Sequence, residues 1–302
     1  MGRVRHLALV GCTASGKSQV ALEVARRLGD VEIVTVDSMQ VYRGMDIGTA
    51  KPSMEERTEV PHHLVDLADP DEEWTLARWV SQARAAVAGI EGRGQRALLV
   101  GGTGLYFQAL VDGLAPPGQF PEVRAELESE PDTAALHRRL GQLDPDAASR
   151  MEPSNRRRVI RALEVCVGSG APFSSFGPGL RAYPPTPWRL AGLWLPRAVV
   201  ASRVDARLEQ MVQAGLVEEV DGLRRRTLSR TARQALGYRE VLDHLEQGRP
   251  LVDALDEAKR RTRAFSRRQR MWWRRDPRIA WYGTAENPLA VTARILGDWR
   301  RP

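Results

Sequence analysis

Continuous apolar runs alternate with amphipathic stretches along the first third of the chain. The runs at 4–10, 31–36 and 97–100 are dominated by Val, Leu, Ile and Ala, as is typical of strands buried on both faces of a parallel sheet. The stretches at 17–29 and 75–90 repeat apolar residues at helical spacing. This alternation predicts an α/β fold in which helices cover both faces of a parallel sheet.

The pattern changes after Gly113. Residues 114–121 (LAPPGQFP) form a predicted linker, 122–167 hold charged helical segments broken by prolines, and 168–187 are rich in Gly, Pro and Ser. A buried strand is predicted again at 189–195, followed by mostly helical sequence. We therefore predict an α/β core with a helical C-terminal part over 1–115 and 188–302, interrupted by a small all-helical insertion domain at 116–187.

Residues 11–18 read GCTASGKS and stand between the first predicted strand and the first predicted helix. The spacing G-x-x-x-x-G-K-S is that of a phosphate-binding loop, or P-loop. Gly11 and Gly16 let the backbone curl so that amide groups point at phosphate oxygens, and the helix N-terminus adds positive potential. Lys17 supplies a mobile charge, and the Ser18 hydroxyl is placed to hold Mg²⁺. The motif predicts a phosphate site without indicating ATP hydrolysis.

An acidic residue that would hold Mg²⁺ in an ATPase is missing after the strand at 97–100, where the chain reads GGTG. Thr103 can donate its hydroxyl to a phosphate oxygen, and the glycines allow close backbone approach. The carboxylate candidate is Asp37, which follows the second strand at the ligand-binding edge of the predicted sheet. Asp37 could bind Mg²⁺ through water, cap the next segment or accept a proton, and the residues alone leave these alternatives open.

Composition narrows the class of protein. The 302 residues carry a formal net charge of +7, which favours an anionic partner such as nucleic acid or a phosphorylated molecule. Two cysteines, Cys12 and Cys166, provide neither a disulfide framework nor a zinc-ligand spacing. The start of the chain runs directly into the P-loop strand, and no apolar run is long enough to span a bilayer. We expect a cytoplasmic protein, with no membrane association and a monomeric state.

Seven segments, in order and nearly end to end, resemble the tRNA dimethylallyltransferase family, also called tRNA isopentenyltransferase. They are GCTASGKS (11–18), VDSMQVYRGMDIGTAKP (36–52), VPHHLVD (60–66), LLVGGTGLYFQAL (98–110), RRVIRALEV (157–165), QALGYRE (234–240) and a stretch ending in RRQRMWWR (262–274). The chain stops at 302 without the C-terminal zinc finger of eukaryotic relatives, so the resemblance is to the bacterial form.

The resemblance implies transfer of a dimethylallyl group from dimethylallyl diphosphate to N6 of the adenosine 3′ of the tRNA anticodon. The P-loop would then hold an isoprenoid diphosphate rather than ATP, with Mg²⁺ as cofactor. Asp37 would orient N6 and accept its proton, and Thr103 would act with it as a catalytic residue. The implied diphosphate-binding residues are Gly11, Thr13, Ala14, Ser15, Gly16, Lys17 and Ser18, and Ser18 is also the implied metal ligand.

The same resemblance implies a partner, the tRNA anticodon stem-loop, whose target base must leave the stack to react. The implied tRNA-binding residues are Ser38, Met39, Gln40, Arg124, Arg157, Arg158, Arg161, Gln234, Gly237, Tyr238 and Arg239. The basic run at 259–275 contains Trp272 and Trp273, which we expect to belong to the core more than to a base-stacking surface. His62 and His63 lack metal-ligand spacing, which favours a structural role.

The chain departs from the family pattern in two places: Cys12 stands where the P-loop usually has proline, and Glu152-Pro153-Ser154-Asn155 stands where the insertion usually reads His-Pro-Asn-Asp. Two other enzymatic functions stay open at this stage. One is an adenylate isopentenyltransferase acting on free AMP or ADP, against which the helical insertion and basic C-terminal helix argue. The other is a P-loop kinase of a small metabolite. A non-enzymatic RNA-binding module would leave GCTASGKS and GGTG without a role.

Overall fold

The computed structural model describes residues 6–177 and 179–300. Within them the chain divides into two compact units. The insertion unit is Gly113–Pro184, and the core unit comprises the described residues up to Asp112 and from Pro185 onward. The division lies a few residues before the boundaries predicted from composition.

The first half of the core unit alternates strands and helices as predicted. Its elements are β1 (His6–Val10), α1 (Lys17–Leu28), β2 (Val31–Val36), α2 (Met54–Glu59), β3 (His62–His63), α3 (Leu76–Gly92), β4 (Arg96–Gly101) and α4 (Gly104–Val111). Residues 4 and 5 of the first predicted strand lie outside the described residues. The helices α2 and α4 and the short strand β3 were not predicted.

The insertion unit is helical, and its elements are α5 (Pro121–Ser129), α6 (Thr133–Leu143), α7 (Pro145–Ser149) and α8 (Arg156–Ser169), followed by a 3₁₀ turn at Phe173–Ser175. Its own apolar core is centred on Leu140, Val159 and Leu163, which are fully buried. The predicted all-helical character of this segment is confirmed.

The second half of the core unit returns to the sheet and ends in helices. Its elements are β5 (Trp188–Trp194), α9 (Arg197–Gln213), α10 (Leu216–Arg224), α11 (Arg230–Arg233), α12 (Tyr238–Gln247), α13 (Leu251–Trp273), β6 (Ala280–Gly283), a 3₁₀ turn at Pro288–Val291 and α14 (Thr292–Arg300). The edge strand β6 was not predicted, because Ala280 and Gly283 are exposed and give it no continuous apolar run.

One six-stranded sheet carries the core unit, in the order β3-β2-β4-β1-β5-β6. Every pairing in it is parallel, which confirms the predicted parallel sheet. The central strands are buried on both faces, as their uninterrupted apolar residues require. Burial of Leu7, Leu9, Ile33 and Leu98 against α1 and α14 forms the main core.

Candidate active site

The strand order brings the three predicted site segments to one edge of the sheet. The central strand β4 lies between β1 and β2, and its last residue, Gly101, pairs with Val10 on one side and Val36 on the other. The P-loop, Asp37 and the GGTG turn therefore leave three adjacent strands at the same level. This is the edge at which open parallel sheets bind ligands.

The P-loop adopts a tightly curled backbone. Gly16, which precedes the first residue of α1, has φ +82°, and Ala14 has φ +60°. Ala14 thus occupies the left-handed region without being glycine, which costs about 1–2 kcal/mol. A Cβ at Gly11 would stand 2.8 Å from Ser15 Oγ, so this glycine is required by close packing. That Ser15 hydroxyl is fully buried and, within the described residues, has no hydrogen-bond partner.

Two side chains from the second half of the core unit hold this curl. Arg203 on α9 donates from Nε to the Ala14 carbonyl at 2.9 Å, and so stabilises the strained residue. Gln269 on α13 accepts a hydrogen bond from the Thr13 amide at 2.8 Å and donates to the Gly102 carbonyl at 3.0 Å. Gln269 was not predicted as a site residue, and its only signal in the sequence is its place in the RRQRMWWR segment.

Thr13 was expected to bind the diphosphate. Its backbone amide already donates to Gln269, so that amide is not available to a ligand. Its half-exposed side chain remains available to a ligand.

Cys12 is buried and packs with Ala14, Leu195 and Val204, so the thiol fills an apolar niche beneath the loop. This apolar packing accounts for the cysteine at position 12 of the loop.

The GGTG turn is more rigid than its composition suggested. A Cβ would stand 2.0 Å from the Val36 carbonyl at Gly101, 2.3 Å from Gln269 Nε2 at Gly102 and 2.3 Å from the Trp272 ring at Gly104. The absence of side chains at these glycines therefore lets Val36 of β2, and Gln269 and Trp272 of α13, pack directly against the turn. Thr103 immediately precedes α4, and its hydroxyl makes no capping hydrogen bond. It stands at a helix N-terminus with that hydroxyl free to meet an anion.

Two cations face Asp37 without being neutralised. Within the described residues, neither the Lys17 ammonium nor the Arg207 guanidinium takes part in a hydrogen bond or an ion pair. Burial lowers the pKa of Lys17, and the neighbouring charge of Arg207 lowers it further, while Asp37 acts in the opposite direction. Burial also lowers the pKa of Arg207 on α9. Because two desolvated cations this close destabilise each other, the site favours a multiply charged anion. Arg207 was not predicted.

Asp37 has one of its three possible roles in the structure, and the other two stay predictions. Its Oδ1 accepts a hydrogen bond from the Met39 amide at 2.8 Å, which caps the turn after β2. No contact within the described part of the chain uses Oδ2, so one carboxylate oxygen stays available for a proton or a water. Tyr106 on α4 lies close enough for the Asp37 charge to add to burial in raising the pKa of the phenol.

The segment 38–52 is anchored at several points. Gln40 donates from Nε2 to the carbonyls of Thr49 and Ala50, both at 3.0 Å. The Glu219 carboxylate on α10 accepts the amides of Asp46 and Ile47 at 2.9 Å and of Gly48 at 3.3 Å. The amide group of Gln40 thus organises its own loop, which leaves Oε1 for a ligand. Ser38 and Met39 are half-exposed.

Residues 234–239 split into buried and accessible members. Tyr238 is buried, donates to Glu219 at 2.5 Å and accepts from the Gly48 amide at 3.1 Å. The Gly237 amide donates to Glu240. Gln234 is exposed and accepts a hydrogen bond from the half-exposed Arg239. As RNA contacts all four stay predictions, but only Gln234 and Arg239 present side chains to solvent, while the Tyr238 side chain supports the fold.

The four arginines predicted from the insertion unit divide in the same way. Arg157 and Arg158 are exposed, and no hydrogen bond or ion pair of their guanidinium groups is found in the described residues. Arg161 donates to the carbonyls of Pro117 and Gly118 and pairs with buried Glu164. Arg124 pairs with Glu128 and Glu164. RNA contact stays a prediction for all four, and Arg161 and Arg124 already serve the insertion fold.

The basic run at 259–275 lies almost entirely on α13. Trp273 is buried and packs edge-on against Phe107, which confirms its predicted place in the core. Trp272 covers Gly104. Exposed arginines occupy the outer face, at positions 260, 267, 268, 274 and 275.

Histidines and acidic residues outside the site make structural contacts. His63 Nε2 lies 2.6 Å from Glu32, which also pairs with Arg93, and His62 Nδ1 lies 2.7 Å from the Val60 carbonyl. Glu152 is exposed.

Within 6–177 and 179–300, no group of three or more His, Cys, Asp or Glu side chains forms a metal site. No helix in those ranges has the length and apolarity to cross a membrane.

Known proteins match both the sequence and the fold. The sequence model described as IPP transferase matches residues 40–276, and that described as isopentenyl transferase matches 4–64. A tRNA dimethylallyltransferase of Geobacter metallireducens is 46% identical over 98% of this chain and 97% of its own length. The solved tRNA isopentenylpyrophosphate transferase of Bacillus halodurans is 36% identical, with a TM-score of 0.70 over 98% of this chain and 96% of its own. A eukaryotic dimethylallyltransferase described as acting on tRNA is 25% identical, with a TM-score of 0.77 over 93% and 74%.

Proposed function

The chain belongs to the IPP transferase family and is an enzyme of the tRNA prenyltransferase type, and we propose that it transfers a dimethylallyl group from dimethylallyl diphosphate to tRNA. The acceptor is N6 of the adenosine immediately 3′ of the anticodon, and pyrophosphate is released. Family membership and the full-length relatives support this proposal, together with the site geometry at the sheet edge.

The observation that carries the proposal is the pair of unneutralised cations, Lys17 and Arg207, beside the N-terminus of α1. A diphosphate bound here would satisfy both cations at once, near the Asp37 carboxylate whose charge acts on each of them. As the C–O bond to the allylic carbon breaks, negative charge grows on the departing pyrophosphate, where these groups and the Thr103 hydroxyl stabilise it. Stabilisation that increases during bond breaking lowers the barrier.

The acceptor side of the reaction falls to Asp37. The N6 lone pair of adenine is delocalised into the ring, so this nitrogen is a poor nucleophile and must be oriented toward the allylic carbon. The new N–C bond forms at N6, the C–O bond breaks, and the proton from N6 passes to the free Oδ2 of Asp37. The cap from the Met39 amide holds the carboxylate in place while the other oxygen reacts.

Mg²⁺ is part of the proposal. The described residues offer it one exposed hydroxyl, Ser18, and one carboxylate, Asp37, which suits an ion that keeps several waters and binds chiefly through substrate phosphates. When bound, Mg²⁺ would neutralise part of the charge on the leaving pyrophosphate.

Contact with tRNA is proposed for the accessible basic side chains. Arg157 and Arg158 in the insertion unit and Arg239 in the core unit present their guanidinium groups to solvent, where phosphates can reach them. Adenylate isopentenyl transfer is less well supported, because the IPP transferase model covers most of the chain, including the insertion unit. A metabolite kinase is not favoured by any of the matched relatives.

A transfer assay tests the proposal. The protein is mixed with Mg²⁺, dimethylallyl diphosphate and unmodified tRNA bearing adenosine 3′ of the anticodon, with AMP as acceptor in a parallel reaction. Nucleosides from the digested RNA are then weighed by mass spectrometry. A dimethylallyl mass on adenosine from tRNA alone is expected. Product from AMP alone would transfer the function to the adenylate enzyme, and ATP consumption without either product would indicate a kinase.

A further inference from the structure

The Gln269 side chain joins the two loops that meet at the candidate phosphate site. Its amide is 7% exposed and uses both polar atoms on backbone groups: Oε1 accepts from Thr13 and Nε2 donates to Gly102. The two partners follow the carboxyl ends of the adjacent strands β1 and β4. Thr13 lies in the P-loop, and Gly102 immediately precedes Thr103. The donor and acceptor requirements of the two partners fix the orientation of the amide.

The helix that carries Gln269 is itself firmly seated on the sheet edge. Arg270 donates to the Leu195 carbonyl at 2.9 Å and stacks on the Trp194 ring at 3.2 Å from its centroid. Trp273 is buried against Phe107 of α4. The Gln269 amide is therefore held by a rigid element, and it cannot follow a movement of one loop without losing its bond to the other.

We propose that Gln269 is a positioning residue for catalysis, which sets the separation between the P-loop and the Thr103 turn so that both grip the same diphosphate. This inference deepens the proposed function and rests on it. Gly102 has no room for a Cβ because the Gln269 amide lies 2.3 Å from where that atom would stand. The glycine and the glutamine thus form one close contact, and the Thr103 hydroxyl is placed by the backbone on which they meet.

The first test compares Gln269→Met, which keeps volume and removes both hydrogen bonds, with Gln247→Met, the same change at an exposed position of α12. Misplacement of a catalytic group by about 1 Å costs on the order of 10²-fold in rate. We expect kcat/KM for dimethylallyl diphosphate to fall by about that factor in Gln269→Met, with tRNA affinity retained, and to stay unchanged in Gln247→Met. Equal kcat/KM values for the two variants would overturn the inference.

A double-mutant cycle separates positioning from general destabilisation. If Gln269 acts by placing the Thr103 hydroxyl, then Thr103→Ala should cost much less in a Gln269→Met background than in the wild type. Fully multiplicative losses would show that the two residues act independently, against the proposal. Gln269→Asn is too short to reach both loops and should behave like Gln269→Met, so full activity of the asparagine variant would equally contradict it.

Binding of inorganic pyrophosphate keeps this inference apart from the proposed function. Calorimetry needs no transfer reaction, and Gln269→Met should bind pyrophosphate more weakly than Gln247→Met does, at equal helical content and equal tRNA binding. Were the wild type unable to modify tRNA, the proposed function would fail while this difference would still support the loop-spacing role. Unchanged pyrophosphate affinity in a folded Gln269→Met variant would remove that role.

Discussion

Replacing Glu219 by glutamine should loosen the segment 38–52, which follows Asp37 and contains Gln40. Four donors converge on this carboxylate, namely the amides of Asp46, Ile47 and Gly48 and the hydroxyl of Tyr238. A glutamine of the same shape keeps one oxygen and places an NH₂ group where the second oxygen stood. Each oxygen of Glu219 serves two of the four donors, so the NH₂ group then sets a donor against at least one backbone amide.

Each hydrogen bond to a charged group contributes about 1.5–3 kcal/mol, and an unsatisfied buried donor costs about 1–3 kcal/mol. Part of this loss is recovered when the loop moves and water enters, so we expect a decrease of about 2–4 kcal/mol in the stability of the core unit. A free-energy difference of about 1.4 kcal/mol corresponds to a tenfold change in an equilibrium constant. We therefore expect kcat/KM for tRNA to fall at least about tenfold as the segment 38–52 becomes less ordered.

The matched control is Glu218→Gln, which removes a charge of the same sign from the adjacent residue. Glu218 forms no hydrogen bond or ion pair with any residue the structure describes, so its replacement should leave both quantities unchanged. The measurements are urea unfolding followed by circular dichroism, and steady-state kinetics with tRNA varied at saturating donor. Indistinguishable unfolding midpoints and tRNA kinetics for the two variants would refute the claim that Glu219 anchors residues 46–48.

Three further outcomes follow from the site. Asp37→Asn should lower the single-turnover rate by on the order of 10²–10⁴ while tRNA affinity in a filter-binding assay is kept, whereas an unchanged rate would exclude Asp37 as the base. Since burial lowers the pKa of Lys17, kcat/KM for the donor should decline with rising pH before an ordinary lysine titrates; Lys17→Arg should abolish this decline, and its persistence would assign it to another group. Replacing Arg157 and Arg158 by alanine should reduce the slope of log affinity for tRNA against log salt by roughly 0.7–0.9 per residue, and an unchanged slope would place them away from RNA.

The parts of the fold that follow from local pattern were predictable from the sequence. Strands β1, β2, β4 and β5 are buried on both faces, so their apolar runs identified them to within a residue or two over the described range. The edge strands lack this signal: β3 consists of His62 and His63, and β6 has exposed residues at both ends and buries only Tyr282 fully. Parallel order followed from the alternation with helices, whereas the position of β6 beside β5 depends on packing far along the chain.

The residues of the candidate site also differ in whether the sequence alone could predict them. Gly11, Gly16, Lys17 and Ser18 form a short motif with a fixed spacing along the chain, which is why spacing alone identified the loop. Arg203, Arg207 and Gln269 were missed because polar residues occupy many positions of the amphipathic helices α9 and α13. Nothing in such a helix distinguishes a residue facing the site from one facing solvent until the helix is docked.

The docking of those helices explains why a P-loop near the start of the chain needs residues more than 180 positions later. The curl at Ala14 is strained and is stabilised by Arg203 on α9, while the Thr13 amide is held by Gln269 on α13. A left-handed non-glycine residue persists only where the surrounding structure imposes it. The P-loop geometry is therefore a product of long-range packing, and it is complete only after α9 and α13 have closed over the edge formed by β1 and β4. The docking of α9 also brings the charge of Arg207 close to Lys17, and these are the two cations proposed to hold the diphosphate.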